Sequence, residues 1–361
     1  MRNTSSNAVA TWIMIGVGML IVQVILGGIT RLTGSGLSIT EWDIITGALP
    51  PLNPQQWLDE FHKYQQTPQY KFLNADFTLN DFKSIFFWEW LHRFWGRLIA
   101  IAFAIPFVIF LLQRRFRTEM IKPLLILFLL GALQGLVGWI MVASGLTGDA
   151  IYVKPAKLAL HFVLACILIS YAFWFGLQLM IKDDQRFSNK PLKNFTWLLL
   201  IVLIFQLVAG ALMAGYKAAP AAPTWPDING EIFPPLHGPA GQGILENPIG
   251  IHFIHRTVAY IVFILVLIWT FISYKRKSTN AFAIARFLPL LMACLQVALG
   301  IATVLSSARI RPAKWNEFEW LAAFHQLVAI FLLLSLVAAL FILHGNNLLN
   351  RRGSLEPKPI K

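Results

Sequence analysis

Eight apolar runs, at residues 9–29, 85–112, 123–143, 158–181, 195–214, 249–273, 287–305 and 320–343, constrain this chain more than any motif does. Each is about the length a helix needs to cross a hydrocarbon core. The expected fold is an all-α integral membrane protein of eight transmembrane helices. Composition agrees: 57% of residues are hydrophobic, only 13% are charged, and the mean hydropathy of +0.63 is too high for an ordinary soluble domain. The net charge of +13 raises nucleic acid as a partner. The bases, however, lie in short clusters between apolar runs and form no basic face on a soluble domain, so no nucleic acid is expected.

The first run is too long for a signal-peptide core and no small-residue cleavage pattern ends it, so it is expected to be retained as a span. No Arg-rich amphipathic presequence precedes it, which argues against import into an organelle. Bases cluster after the second run (Arg114, Arg115, Arg117, Lys122), the fourth (Lys182, Arg186, Lys190, Lys193) and the sixth (Lys275, Arg276, Lys277, Arg286). Further bases lie in the tail (Arg351, Arg352, Lys358, Lys361). By the positive-inside rule both termini are expected to be cytoplasmic and the long loops 31–84 and 216–250 outside; without an organellar presequence, the membrane expected is a bacterial inner (plasma) membrane.

The chain repeats itself. Gln23 with Gly27, Gln134 with Gly138, Gln206 with Gly210 and Gln296 with Gly300 place one Gln-x-x-x-Gly in every odd-numbered run. Every even run carries a histidine near its outer end: His92, His161, His255 and His325. The outer loops run long, short, long, short, so the larger unit is four helices used twice. Two four-helix bundles related by a pseudo-two-fold along the membrane normal follow, at 1–190 and 191–361. The Gln-x-x-x-Gly set reads first as packing: Gly admits a neighbouring helix, and Gln hydrogen-bonds across helices or to a ligand.

Four histidines at matching depth ask for more than packing. Two imidazoles from two helices of a bundle can ligate one haem axially, so two bundles give two haem sites, with metal ligands His92, His161, His255 and His325. A closed zinc site wants four converging ligands, whereas these divide into pairs. Cys166 and Cys294 lie mid-run and read as buried small hydrophobes with no disulfide. Arg93 follows His92 and Arg256 follows His255. Each guanidinium either pairs haem propionates or snorkels to the headgroups.

Glu89, His92 and Arg93 share one helix face inside an apolar run, where ionisable groups are costly and mark function. Three residues before His255 stands His252 instead of an acid. This divergence suggests one chemical site, marked by Glu89, and one supporting site. His252 is then a residue behind the ligand or on the outer surface, or an alternative ligand to His255. His62, His237 and His344 are expected to be solvated. In the first loop, Asn53 as cap, Pro54 at the first position and Gln56 completing a capping box are expected to start an amphipathic helix through Trp57, Leu58 and Phe61 that covers the first bundle. Thr78 with Asp81 is a second capping signal, starting the second long helix inside the loop.

These residues resemble the haem A synthase family: Glu89 to Arg93, Pro50-Pro51, Trp57-Leu-Asp-Glu-Phe61-x-x-Tyr64-Gln65-Gln66, His255-Arg256 and Phe324-His325-Gln326. The version resembled is that of mitochondria and related bacteria, without outer-loop cysteine pairs. The resemblance covers nearly all eight runs and the first loop. It implies an oxidoreductase that converts the C8 methyl of haem O to a formyl by successive hydroxylations, giving haem A for terminal oxidases. It implies that His92 and His161 flank the substrate haem, that Glu89 acts at the methyl, and that His255 with His325 ligate a resident haem b. Haem O synthase and a membrane electron acceptor are the implied partners, and a homo-oligomer stays open. Two other classes remain: a dihaem b-type electron-transfer cytochrome linked to quinol, and a transporter without cofactor. Extracting the haems separates the three.

Overall fold

The computed structural model describes residues 4–42, 46–236, 243–276, 278–310 and 315–345. His237, Lys277 and the basic tail lie outside the described residues. Among those described, regular structure is helical, with isolated bridges between Ser188 and His344 and between Ile228 and Glu231. The order is α1 (Thr4–Leu32), α2 (Pro54–Gln65), α3 (Pro68–Leu73), α4 (Leu79–Leu112), α5 (Thr118–Ala143), α6 (Pro155–Met180), α7 (Lys190–Gly215), α8 (Pro248–Tyr274), α9 (Asn280–Ala285), α10 (Leu288–Ser306) and α11 (Glu317–Ile342). Eight helical stretches are long and apolar enough to cross a membrane, with α9 and α10 counting as one. They coincide with the eight apolar runs.

Local chemistry sets the starts. Asn53 caps α2 by accepting from the Gln56 amide at 2.9 Å. The Gln56 side chain reaches one residue further back than a capping box requires, accepting from the Leu52 amide at 2.7 Å. Thr78 and Asp81 form the full reciprocal box, so α4 does begin inside the long loop and runs 34 residues. The amphipathic α2 lays Phe61 and Tyr64 on Phe82, Ile85 and Phe86 at the start of α4. Pro106 interrupts the α4 ladder, because it has no amide to offer the carbonyl of Ala102. The indole of Trp12 on α1 donates to that carbonyl at 2.8 Å and closes the gap.

The last helix is the most central. α11 packs on α10, α7, α6 and α1, and its run from Leu332 to Leu343 is almost wholly buried. α1 lies between α4 and α6, where Gly176 leaves room for Met14. Two polar contacts join distant parts of the chain. Arg31 donates through both Nε and Nη2 to the Ala214 carbonyl near the end of α7. The Gln326 amide donates to the Val24 carbonyl at 2.9 Å.

The helices neighbour one another unevenly. α8 packs on both α7 and α10, anchored by Trp269, whose indole donates to Thr196 at 2.9 Å. α4 packs on α1 but makes no extended contact with α5. Cys166 is buried, as expected, whereas Cys294 is exposed. The adjacent Ala293 takes the inward position, so Cys294 turns to the outer face of α10.

Candidate functional site

The four Gln-x-x-x-Gly segments and the four histidines meet one to one. Gln23 on α1 reaches His92 on α4, with Nε2 at 3.4 Å from the ring Nε2 and 3.1 Å from the backbone carbonyl. Gln134 on α5 lies 3.2 Å from Nδ1 of His161 on α6. Gln206 on α7 lies 3.1 Å from Nδ1 of His255 on α8. Gln296 on α10 lies 3.2 Å from Nε2 of His325 on α11.

In each unit the glycine sits under the ring. A Cβ at Gly27, Gly138, Gly210 or Gly300 would come within 3.1, 2.7, 3.2 or 2.9 Å of the Cε1 of the partner histidine. The packing role expected of Gly and Gln holds, but its object is the imidazole rather than the neighbouring backbone. Without Cβ atoms there, the rings settle against the odd-numbered partner helix and keep one orientation.

All four histidines line one largely apolar cavity of about 1290 Å³. His255 and His325 lie with ring centres 6.4 Å apart and ring planes at 77°. His325 donates its Nδ1 proton to the Gln296 carbonyl at 3.1 Å, which leaves Nε2 as the nitrogen with a lone pair. The side-chain oxygens of Gln23, Gln134, Gln206 and Gln296, and Nδ1 of His92, are buried without a protein partner. Buried polar atoms of this kind are costly unless a ligand or water meets them. Arg31, Arg93, Lys217 and Arg256 line the same cavity. Paired imidazoles, an apolar body and a cationic rim fit an iron porphyrin with its carboxylates at the basic end. Among the described residues no group of three or more His, Cys, Asp or Glu is placed to hold a metal ion.

Glu89 is 2% exposed, and both of its oxygens accept hydrogen bonds. Its Oε2 accepts from the Ser38 amide at 2.7 Å, the Ser38 hydroxyl at 2.7 Å and the Ile39 amide at 2.9 Å. Its Oε1 accepts from Arg93 at 2.6 Å. Arg93 also donates to the carbonyls of Ile39 and Glu41 and lies over the Trp42 ring. It therefore anchors the first loop and does not snorkel. Arg256 behaves likewise, donating to the carbonyls of Ala222 and Asp227.

His252 is not on the outer surface, being 1% exposed. Its Nε2 donates to the Ala218 carbonyl at 2.8 Å, and its Nδ1 accepts from Arg256 at 3.3 Å. With both nitrogens occupied it stands behind His255 as a support. It is buried because position 252 occupies the same helix face as Glu89 and must carry a loop in the same way. His62 and His344 are exposed, as expected. The loop partners Ser38, Ile39, Ala218 and Ala222 were not legible from sequence, since backbone groups leave no residue signature.

The cytochrome oxidase assembly protein model, COX15-CtaA, matches residues 10–337. The chain belongs to the COX15-CtaA family. It is 38% identical over 366 residues to a protein named heme A synthase from Cereibacter sphaeroides, covering 96% of this chain and 89% of that one. A heme A synthase from Bradyrhizobium diazoefficiens is 37% identical, with 98% and 94% covered. One from Flavobacterium psychrophilum is 36% identical, with 92% and 96% covered. The COX15-CtaA match takes in all four Gln–His–Gly units and both His-Arg pairs.

Proposed function

We propose that this protein is a haem A synthase, an oxidoreductase that converts the C8 methyl of haem O to a formyl by successive hydroxylations. The observation that carries this is the pairing of imidazoles around one apolar cavity in a chain of this family. The finer assignment is ours as well: two four-helix bundles, 1–190 and 191–361, related by a pseudo-two-fold along the membrane normal. The first holds the substrate between His92 and His161, and the second holds haem b between His255 and His325. Both termini are placed in the cytoplasm of a bacterial cell, with haem O synthase delivering the substrate and a membrane carrier removing electrons.

A haem b in the second bundle would supply one-electron redox chemistry. The rest falls to this chain's own residues. The four glutamines fix the imidazole planes, and Arg93 and Arg256 hold positive charge beside the carboxylates of the porphyrin edge. Apolar walls exclude water. Glu89 lines the cavity, and its Oε1, with one donor only, retains capacity to accept the proton released on oxidation or to stabilise a cationic intermediate. Arg93 and the Ser38 and Ile39 amides keep that carboxylate in one position.

The near-equivalence of the four Gln–His–Gly units favours a second reading, a cytochrome with two permanent haems. Extracting the haems from purified protein decides: haem b with haem O or A supports the synthase, and two identical haems reject it.

A further inference from the structure

We propose that the gap between α4 and α5 is the slot for the prenyl tail of the substrate haem, opening sideways from the cavity toward the lipid. This rests on the placement of the substrate in the first four long helices, and it adds the feature that distinguishes the two haem sites. The observation is an asymmetry in packing. α8 and α10 pack together, whereas α4 and α5, which hold the corresponding places in the sequence repeat, do not. Below Glu89 no residue of α4 is buried, whereas α8 buries Val262, Val266, Trp269 and Thr270 at comparable depth. Ala100 and Ala104 on α4 and Gly131 and Gly135 on α5 line the cavity and are exposed at the same time, so the cavity reaches the surface between them.

The sequence repeat shows how the gap is made. With the two His-Arg pairs in register, Ala100 corresponds to Phe263; with the Gln-x-x-x-Gly segments in register, Gly135 corresponds to Val297. Phe263 and Val297 line the same cavity from the second half, where both are half-buried. A Cβ at Gly131 or Gly135 would meet nothing within 4 Å. Small residues here therefore do not serve close helix approach, the usual reason for glycine in a membrane helix. They leave space.

The space has a definite chemistry. It begins at the level of Gln134, whose side-chain oxygen is buried and unpartnered, and continues away from the basic rim between apolar walls. For a porphyrin seated between His92 and His161 with its carboxylates at that rim, this gap offers a long apolar substituent a route away from the charges. Haem O carries such a tail and haem b does not. The open half then takes the tailed haem and the closed half the tailless one, and a substrate too apolar for water enters from the bilayer.

The test compares haem O and haem b binding to purified protein by absorbance titration, with His92→Ala reporting which signal belongs to the first site. The parent should bind haem O more tightly than haem b there. Ala100→Phe with Gly135→Val imports the residues of the closed half and should weaken haem O by about tenfold or more, as expected when two or more methylenes are shut out. Haem b binding at that site should be unchanged. If the double variant fails to fold, Ala104→Leu alone should give a smaller loss in the same direction. A variant that keeps the parent's preference for haem O overturns the slot and leaves the first-site assignment standing, the gap then holding only lipid chains. Haem O uptake insensitive to His92→Ala overturns the substrate placement and the slot with it.

Discussion

The helices α4 and α8 carry the same His-Arg pair and solve the same problem with opposite chemistry. Each must hold an arginine and an incoming loop just beyond a half-buried imidazole. On α4 a carboxylate does so, gathering two backbone amides, a hydroxyl and the guanidinium. On α8 a neutral imidazole does so, donating to a carbonyl and accepting from the guanidinium. Burying an ion pair costs more than burying an imidazole, and the desolvation is repaid only when every lone pair and proton is matched. A support could be built without a charge, as α8 shows, so the carboxylate on α4 points to a use beyond support.

That contrast can be broken most severely at the ligands. His255→Ala or His325→Ala should abolish the low-spin haem b spectrum in protein that still inserts, because six-coordinate iron needs both imidazoles. An intact spectrum in either variant would move the ligand role elsewhere.

Next comes Glu89. Glu89→Ala leaves half-buried Arg93 with the Ile39 and Glu41 carbonyls but no counter-charge and should destabilise the fold by about 3 kcal/mol, measured as loss of monodisperse protein on heating in detergent. Glu89→Gln keeps the shape, and if the carboxylate handles a proton, haem b remains while turnover stops or halts at a hydroxylated haem. Normal haem A output from Glu89→Gln would reduce Glu89 to a loop anchor and make the two halves alike.

A smaller effect is expected from His252→Glu, which imports the α4 solution into α8. The carboxylate gains Arg256 but faces the Ala218 carbonyl without a proton, so the variant should lose about 1–3 kcal/mol of thermal stability. A stabilised variant would show that the supports are interchangeable.

The smallest effect concerns Lys217, which follows α7 and lies 3.7 Å above the centre of the Tyr152 ring. Burial, and then the charge of Arg31, push its pKa down from 10.5 to about 8. The unfolded chain therefore binds more protons between those values, so stability rises with pH across that window, and the charged form costs stability below it. Much of the side chain is exposed, so screening keeps the effect small. Lys217→Met should flatten the rise, and equal slopes of melting temperature against pH in parent and variant would reject the assignment.

The eight spans were legible in the sequence because a membrane leaves helices few alternatives, and the caps at Asn53 and Thr78 because capping is local. The four glutamines and four histidines were legible as a pattern, yet not as contacts. Only the packing of α1 on α4, α5 on α6, α7 on α8 and α10 on α11 shows that each Gln–Gly segment serves one imidazole. His252 could not be placed because its partner is a backbone carbonyl in a loop. The opening beside α5 was invisible for a related reason: Gly131 and Gly135 look the same whether a helix lies close or nothing does.

The bond from Gln326 to the Val24 carbonyl spans 302 residues. A ribosome delivers α1 to the membrane long before α11 exists, so that carbonyl and the hole left for α11 must wait through the synthesis of every other span. Arg31 waits too, at the membrane boundary, for the end of α7. The contacts of α11 with α1, α6, α7 and α10 are thus the last to close in this chain, after helices such as α1, α4 and α6 are already in the membrane. A stop codon before α11 would remove about one span in eight and yet take from α1, α6, α7 and α10 the one neighbour all four share.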